Sequence, residues 1–305
     1  MAKISTYTKP LTREQADRLR ALLDAKGLTF ETKPYCIYAA SRPGLAVLVY
    51  EKGPKVVVQG KETEDFVLNT LEPEVLGVAE LGYDEVHNPE MYQPHIGVDE
   101  SGKGDYFGPL VIAGAYVDAD VARKLREIGV MDSKRIGSDA RIRSLADEMG
   151  RIGGLVSEVV VIGPERYNQL YAQFGNLNKL LAWGHAKVIE LLLEKVPDCP
   201  RAVSDQFANP RVLEQALQKR GRTIVLEQRT KAESDPAVAA ASILAREKFV
   251  SWLDDHGKRI GVELPKGVSV PVKDAARQIF ERFGGGALGT VAKTHFKTTS
   301  EVVAG

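Results

Sequence analysis

Ala16, Leu19, Leu22 and Leu23 fall three and four positions apart, the spacing that lines one face of an α-helix. Thr12 and Gln15 frame the start of that face as a T-x-x-Q capping box, and Gly27 stands where the helix should stop. The period then changes. Four short runs rich in β-branched and aromatic residues follow, at 28–31, 35–40, 45–51 and 55–59, punctuated by Arg42-Pro43-Gly44 and Gly53-Pro54. An acidic, helix-like stretch covers 61–76. Helix, four-strand meander and helix predict a small α+β domain over residues 1–81, large enough to bury a core of its own. Residues 82–94 contain Asn88-Pro89 and Gln93-Pro94, lack periodicity and read as a linker.

From 95 to 305 strands and helices alternate. Strand patterns lie at 96–100, 110–117, 154–162, 202–205 and 223–228, and helical patterns at 139–149, 164–171, 178–195, 210–220 and 236–255. That order predicts an α/β domain built on a mixed sheet. No internal repeat or low-complexity tract interrupts it.

Composition narrows the class of protein. No apolar run approaches the roughly 20 residues of a membrane helix. Met1-Ala2-Lys3-Ile4-Ser5 lacks the apolar core of a secretory signal. Cys36 and Cys199 stand apart with no C-x-x-C pair, which argues against a disulfide framework or a thiolate zinc site and for a reducing cytoplasm. The net charge of zero hides an asymmetry: 1–61 carry 11 Lys/Arg against 5 Asp/Glu, whereas 62–100 carry 11 Asp/Glu and no Lys/Arg. A basic leading segment suits a nucleic-acid partner, and equally an ordinary solvated surface.

The densest chemistry lies in Ile96-Gly97-Val98-Asp99-Glu100-Ser101-Gly102-Lys103-Gly104-Asp105. Two adjacent carboxylates end an apolar strand and run into a glycine-rich turn. Such a turn brings backbone N–H groups close to a phosphate or sugar, and the carboxylates offer oxygen ligands to hard divalent cations. Gly97 through Lys103 also fits the first part of a P-loop, but Gly104 replaces the Ser/Thr that would bind Mg²⁺, and Asp99 and Glu100 would repel a triphosphate. Asp205 ends another strand. Glu233 precedes a helix that Ser234 or Asp235 can cap, with Pro236 in its first turn. Taken singly, each of these acids fits a cap or turn role. Together they stand at element ends where one α/β sheet can gather them.

These residues resemble the type 2 and type 3 ribonucleases H. The resemblance rests on Asp99-Glu100-Ser101-Gly102-Lys103-Gly104-Asp105, Gly108-Pro109-Leu110-Val111, Asp132-Ser133-Lys134, Ser204-Asp205-Gln206-Phe207, Lys231-Ala232-Glu233-Ser234 and Ala239 through Arg246, in the family's order across 95–305. Lys103 in place of arginine, Glu233 in place of aspartate, the extra N-terminal domain and the ending Lys293-Thr294-His295-Phe296-Lys297 resemble the type 3 branch. The resemblance implies a ribonuclease H-like fold, a five-stranded mixed sheet flanked by helices, preceded by a domain similar to half of a TATA-binding protein. It implies a metal-dependent endonuclease that cuts the RNA strand of RNA/DNA hybrids and leaves 5′-phosphate and 3′-hydroxyl ends. Asp99, Glu100, Asp205 and Glu233 would be the catalytic, metal-binding carboxylates for two Mg²⁺ or Mn²⁺ ions. Asp99 would bridge them.

Ser101, Gly102, Lys103 and Gly104 would contact the ribose and phosphate of the hybrid, with Lys134 as a further phosphate contact. Ser242 reads as a packed residue, and His185 sits mid-helix without ligand spacing. His295 is balanced between packing and nucleic acid. Phe30, Tyr35, Tyr38 and Tyr50 read first as core and second as stacking residues; Lys3, Lys9, Lys26, Lys33 and Lys55 are candidate phosphate contacts. The expected protein is a monomer with a hybrid duplex as partner. The alternatives are a type 2-like enzyme cutting single ribonucleotides in duplex DNA, and a hybrid-binding protein without catalysis.

Overall fold

The computed structural model describes residues 4–78, 88–130, 133, 136–207, 209–217, 224–229 and 232–304, the side chains of Pro210 and Glu233 apart. Lys3, Asp132 and Lys134 lie outside the described residues, as do residues 82–87 of the linker at 82–94. The chain divides into two compact units, Met1–Glu90 and Met91–Gly305.

The first unit contains β1 (Thr6–Pro10), α1 (Arg13–Ala25), β2 (Thr29–Glu31), β3 (Cys36–Arg42), β4 (Leu45–Tyr50), β5 (Lys55–Gln59) and α2 (Thr63–Phe66). The Thr12–Gln15 capping box is closed in both directions, at 3.1 and 2.9 Å. The strands form an antiparallel sheet in the order β1-β5-β4-β3-β2. Leu19 and Leu23 of α1 pack with Val47, Val49, Val56, Val58 and Leu71 as one core. The sheet thus has five strands, one more than the meander predicted. Strand β1, Thr-Tyr-Thr-Lys-Pro, buries no residue fully and carries no apolar alternation, as an edge strand permits. The second helix forms as expected but widens from Val67 to Leu76 into a π-helix holding Pro73. Proline clashes with the carbonyl four residues back in an α-helix, and the wider turn relieves that clash.

The second unit carries β6 (His95–Ser101), β7 (Leu110–Val117), α3 (Ala119–Glu127), α4 (Asp139–Met149), β8 (Val156–Ile162), α5 (Pro164–Phe174), α6 (Leu177–Lys195), β9 (Arg201–Asp205), α7 (Pro210–Ala216), β10 (Val225–Arg229), α8 (Pro236–Ile260), α9 (Val270–Phe283), α10 (Gly285–Val291) and α11 (Lys297–Val303). Its five-stranded sheet has the order β10-β9-β6-β7-β8: β6, β7 and β8 are antiparallel neighbours, and β9 and β10 run parallel to β6. This is the mixed, helix-flanked sheet expected. Helix α7 ends at Ala216 because Leu217 turns extended, so the predicted helix at 210–220 is shorter. Alternation splits the core. Ile96, Val98, Leu110 and Ile112 pack under α6, whereas Val111, Ala113 and Ala115 pack under helices that include α8. At Gly97 helix α8 lies almost on the strand: a Cβ there would stand 2.2 Å from Val238 N and 2.3 Å from Ala237 C.

Cys36 and Cys199 are buried free thiols. Among the described residues no helix is long and apolar enough to cross a membrane.

Candidate active site

Parallel pairing of β6 with β9 sets the site. Ile96, Gly97 and Val98 register with Ala202, Val203 and Ser204. One step further, Asp99 stands beside Asp205 at the carboxyl ends of adjacent parallel strands, where open α/β sheets bind ligands. Side chains in register on parallel strands share a face, so these two carboxylates share the α8 side. Asp99 is buried, and the Ser242 side chain of α8 faces its carboxylate and favours its charged form. Ser242 Oγ also lies 2.6 Å from Ser133 Oγ, and the Arg246 guanidinium donates to the carbonyl of Ser133. Ser133 is thereby linked to the face of α8 that meets Asp99. Asp205 Oδ1 accepts a 3.4 Å hydrogen bond from Ala232 N.

Glu100, one residue on, points to the α6 side. His185 Nε2 lies 3.0 Å from its Oε2, and Lys103 Nζ lies 2.9 Å from its Oε1. His185 is fully buried, and its Nδ1 lies 3.0 Å from Ser204 Oγ on β9. One imidazole therefore links Glu100 to the strand that carries Asp205. The histidine lacks ligand spacing because it positions an acid; its only signal in the sequence is a polar residue on the apolar face of α6.

The two neighbouring acids are driven apart electrostatically. Burial first, and then the charge of Glu100, raise the pKa of Asp99 to about 7. Burial also works to raise Glu100, but the hydrogen bond and charge of His185, together with Lys103, outweigh it and hold Glu100 down to about 2. Glu100 is thus the ionised member and Asp99 the one short of positive charge.

Glu233 falls in the single turn Ala232–Ser234 ahead of α8, and its side chain lies outside the description. Asp235 is the residue that caps α8, accepting from Ala237 N at 2.9 Å and Val238 N at 3.3 Å. Its Oδ1 also meets His95 Nε2 at 2.8 Å, which pins the helix start to the first residue of β6.

In the turn, Gly102 has φ +88, and a Cβ there would lie 2.3 Å from Pro109 O, so only glycine fits. Gly104 is different: a Cβ there meets nothing within 4 Å. Ser101 ends β6, and the Lys103 side chain is 45% exposed.

Among the described residues no three His, Cys, Asp or Glu side chains are grouped closely enough to hold a metal ion. The structure brings Asp99 and Asp205 to one face and turns Glu100 to the other. The donor chemistry still fits a hard divalent cation: the ligands on offer are carboxylate oxygens, and among the described residues no lysine or arginine forms an ion pair with Asp99.

Of the remaining candidates, Tyr38 is core, its hydroxyl donating to Ala16 O at 2.7 Å. Phe30 packs against that core, with its ring 5.9 Å from that of Tyr38. Tyr35 is not core: it is 81% exposed, with φ 64. Tyr50 is half-buried beneath Lys55, whose Nζ lies 5.5 Å from the ring. His295 stacks on Tyr171 with ring centres 4.0 Å apart.

A family model described as Ribonuclease HII matches residues 96–299. The Ribonuclease HIII of Protochlamydia amoebophila (strain UWE25) is 40% identical over 303 residues, 99% of this chain and 98% of its own. That of Chlamydia trachomatis serovar D (strain ATCC VR-885 / DSM 19411 / UW-3/Cx) is 42% identical over 301 residues, 98% of each chain. Among solved structures, Bst-RNase HIII in complex with Mn²⁺ superposes with a TM-score of 0.68 at 29% identity, covering 98% of each chain. Aquifex aeolicus RNase H3 does so with a TM-score of 0.54 at 28% identity, covering 95% of this chain and 99% of its own. With near-full-length likeness on both counts, and the aspartates side by side at the strand ends, the chain belongs to the ribonuclease HIII family of ribonuclease H enzymes.

Proposed function

We propose that the chain cuts the RNA strand of RNA/DNA hybrids endonucleolytically, leaving 5′-phosphate and 3′-hydroxyl ends. The observation that carries this reading is the β6–β9 register, which leads Asp99 and Asp205 to the same end of adjacent parallel strands beside the Gly102–Gly104 turn. Asp99, Glu100, Asp205 and Glu233 would hold Mg²⁺ or Mn²⁺, two ions in the substrate complex. When bound, such ions supply an activated water and stabilise the leaving 3′ oxygen.

The chain's own residues prepare that site. His185 and Lys103 keep Glu100 ionised and aimed. Ser242, itself held by Ser133, fixes the Asp99 carboxylate. Ser101, Gly102 and Gly104 present backbone to the ribose, whose 2′-OH distinguishes RNA from DNA. Lys103 and Lys134 contact phosphate. The N-terminal unit binds the hybrid through groups such as the exposed Tyr35 and the half-buried Tyr50 with its neighbour Lys55. The buried free thiols of Cys36 and Cys199 are in keeping with a reducing cytoplasm, and the protein acts as a monomer.

The direct test is cleavage of an end-labelled RNA/DNA hybrid with Mg²⁺, with Mn²⁺ and with EDTA, beside a DNA duplex holding one ribonucleotide. Cutting of the hybrid with either metal, none in EDTA and little of the single-ribonucleotide duplex is the expected pattern. Strong cutting at the single ribonucleotide would move the activity to the type 2 class, and binding without cutting would leave a hybrid-binding protein. Gly104→Ala tests the turn itself. Its methyl group meets no protein atom, so the melting temperature should be unchanged while KM for the hybrid rises roughly ten-fold. An unchanged KM would remove Gly104 from the substrate surface.

A further inference from the structure

We propose that Lys293 is a positioning residue that fixes the glycine-rich turn for hybrid binding through the backbone of residues 105–108. The proposal rests on the reading that this turn contacts the hybrid. Lys293 is wholly buried, yet it lies outside the carboxylate cluster and has no part in the chemistry derived above. Its Nζ donates to the carbonyls of Asp105 at 3.0 Å, Phe107 at 3.3 Å and Gly108 at 2.7 Å, residues up to 188 positions away in sequence. An ammonium has three N–H donors, and each has an acceptor here. The rings of Tyr167 and Phe249 flank it at 5.6 and 6.0 Å. Burial lowers its pKa to about 7, opposed by the charge of Asp105.

Desolvating an ammonium is costly, and packing alone would be met more cheaply by methionine or leucine. What those side chains lack is the ability to hold three carbonyls in a fixed arrangement. The turn needs such an anchor. Gly104 touches nothing on its open side, and the bond closing the turn, Asp105 N to Gly102 O, is long at 3.4 Å. Its shape is set from the segment that follows. Lys293 N donates to Tyr106 O at 2.9 Å, and Gly108 N to Val291 O at 2.8 Å. On another side, Gly267 N donates to Asp105 Oδ1 at 2.6 Å and Gly267 O accepts from Tyr106 N at 3.0 Å. The strand of chain that presents Lys293 is itself clamped by Asn168, whose Nδ2 donates to Ala292 O at 3.0 Å and whose Oδ1 accepts from Thr294 N at 3.0 Å.

The test is steady-state cleavage of an RNA/DNA hybrid by full-length Lys293→Met and Asn168→Ala, each assayed well below its own melting temperature. Lys293→Met keeps length and apolar bulk but removes all three donors; Asn168→Ala keeps the lysine and loosens its mount. The expected result is a KM raised roughly ten-fold in Lys293→Met with kcat within about three-fold of the parent, and a smaller shift of the same kind in Asn168→Ala. A lysine that only stabilises the fold would lower the melting temperature and leave both constants of the folded enzyme alone, which overturns the proposal. So does a fall in kcat at constant KM. If Lys293→Met does not fold, Asn168→Ala decides: an unchanged KM overturns the proposal. Gly104→Ala separates the two levels of failure. If it raises KM while the Lys293 and Asn168 variants do not, the turn binds hybrid and only the anchor is wrong.

Discussion

Asp99→Asn should abolish cleavage, by ~10³-fold or more, and should make the metal-free protein more stable at pH 8. The first effect follows from the loss of an anionic oxygen donor beside Asp205. The second follows from the sign of the Asp99 shift. A carboxyl whose folded pKa is raised to about 7 binds its proton more tightly in the native state than in the unfolded chain. The stability this gives is full below the unfolded value near 4 and is lost as pH rises through about 7. Metal-free wild type should therefore weaken between about pH 4 and 7 and reach its minimum contribution by pH 8. Asparagine carries no charge and escapes that loss. At 1.36 kcal/mol per unit, the difference is roughly 2–4 kcal/mol. Glu100 shifts the other way, to about 2, so its stability is lost only in acid below the usual carboxylate range and does not confuse the window. Thermal melts of both proteins in EDTA at pH 5 and pH 8 measure this. The variant should gain on wild type only at the higher pH, and added Mg²⁺ should stabilise wild type alone. A variant that melts below wild type at pH 8 in EDTA, or one that still cuts normally, would show that Asp99 is not the uncompensated acid of the site.

Gly97→Ala should destabilise the fold by about 3 kcal/mol or more and silence whatever protein still folds. The added methyl would stand 2.2 Å from Val238 N, 2.3 Å from Ala237 C and 2.7 Å from Ala237 Cβ. These are backbone and first-turn atoms of α8, not the tip of a flexible side chain, so relief requires the helix to move. Overpacking a well-filled core costs about 1–3 kcal/mol, more where backbone must shift. Movement of α8 also displaces Ser242 from Asp99 and strains the Asp235–His95 link at the helix start. Urea unfolding and hybrid cleavage are the measurements. A midpoint within error of wild type would show that β6 and α8 are not held as closely as the structure has them.

The site was legible in part. Asp99 and Glu100 announce themselves because a strand, two acids and a glycine turn are contiguous. Asp205 ends its strand as its short apolar run implies, and Asp235 caps α8 as a residue before Pro236 should. The roles of His185, Ser133 and Lys293 were not legible, for one reason. Each acts on a partner about 85, 109 and 188 residues away, and nothing local distinguishes a buried polar residue with a distant partner from one on a solvated face. The aromatic residues of the first unit show the same limit. Tyr35 and Tyr38 lie three apart, yet Tyr38 is buried and Tyr35 is exposed at a left-handed position.

By itself the sequence determined what is local and periodic: the capped helix at Thr12, the strand runs, α4 from Asp139 to Met149 and the motif order that assigns the family. Backbone hydrogen bonding and side-chain period act within a few residues, so one stretch suffices to specify them. Only the tertiary structure decided the rest. The polar edge strand Thr6–Pro10 is a strand because Lys55–Gln59 offers it a partner. Alternation along β6 turns Asp99 and Glu100 to opposite faces, and the acids acquire opposite characters because α8 buries the one while His185 of α6 and Lys103 hold the other. Burial and neighbouring charge belong to the assembled molecule, and they set both the proton affinity of Asp99 and the shape of the turn beside it.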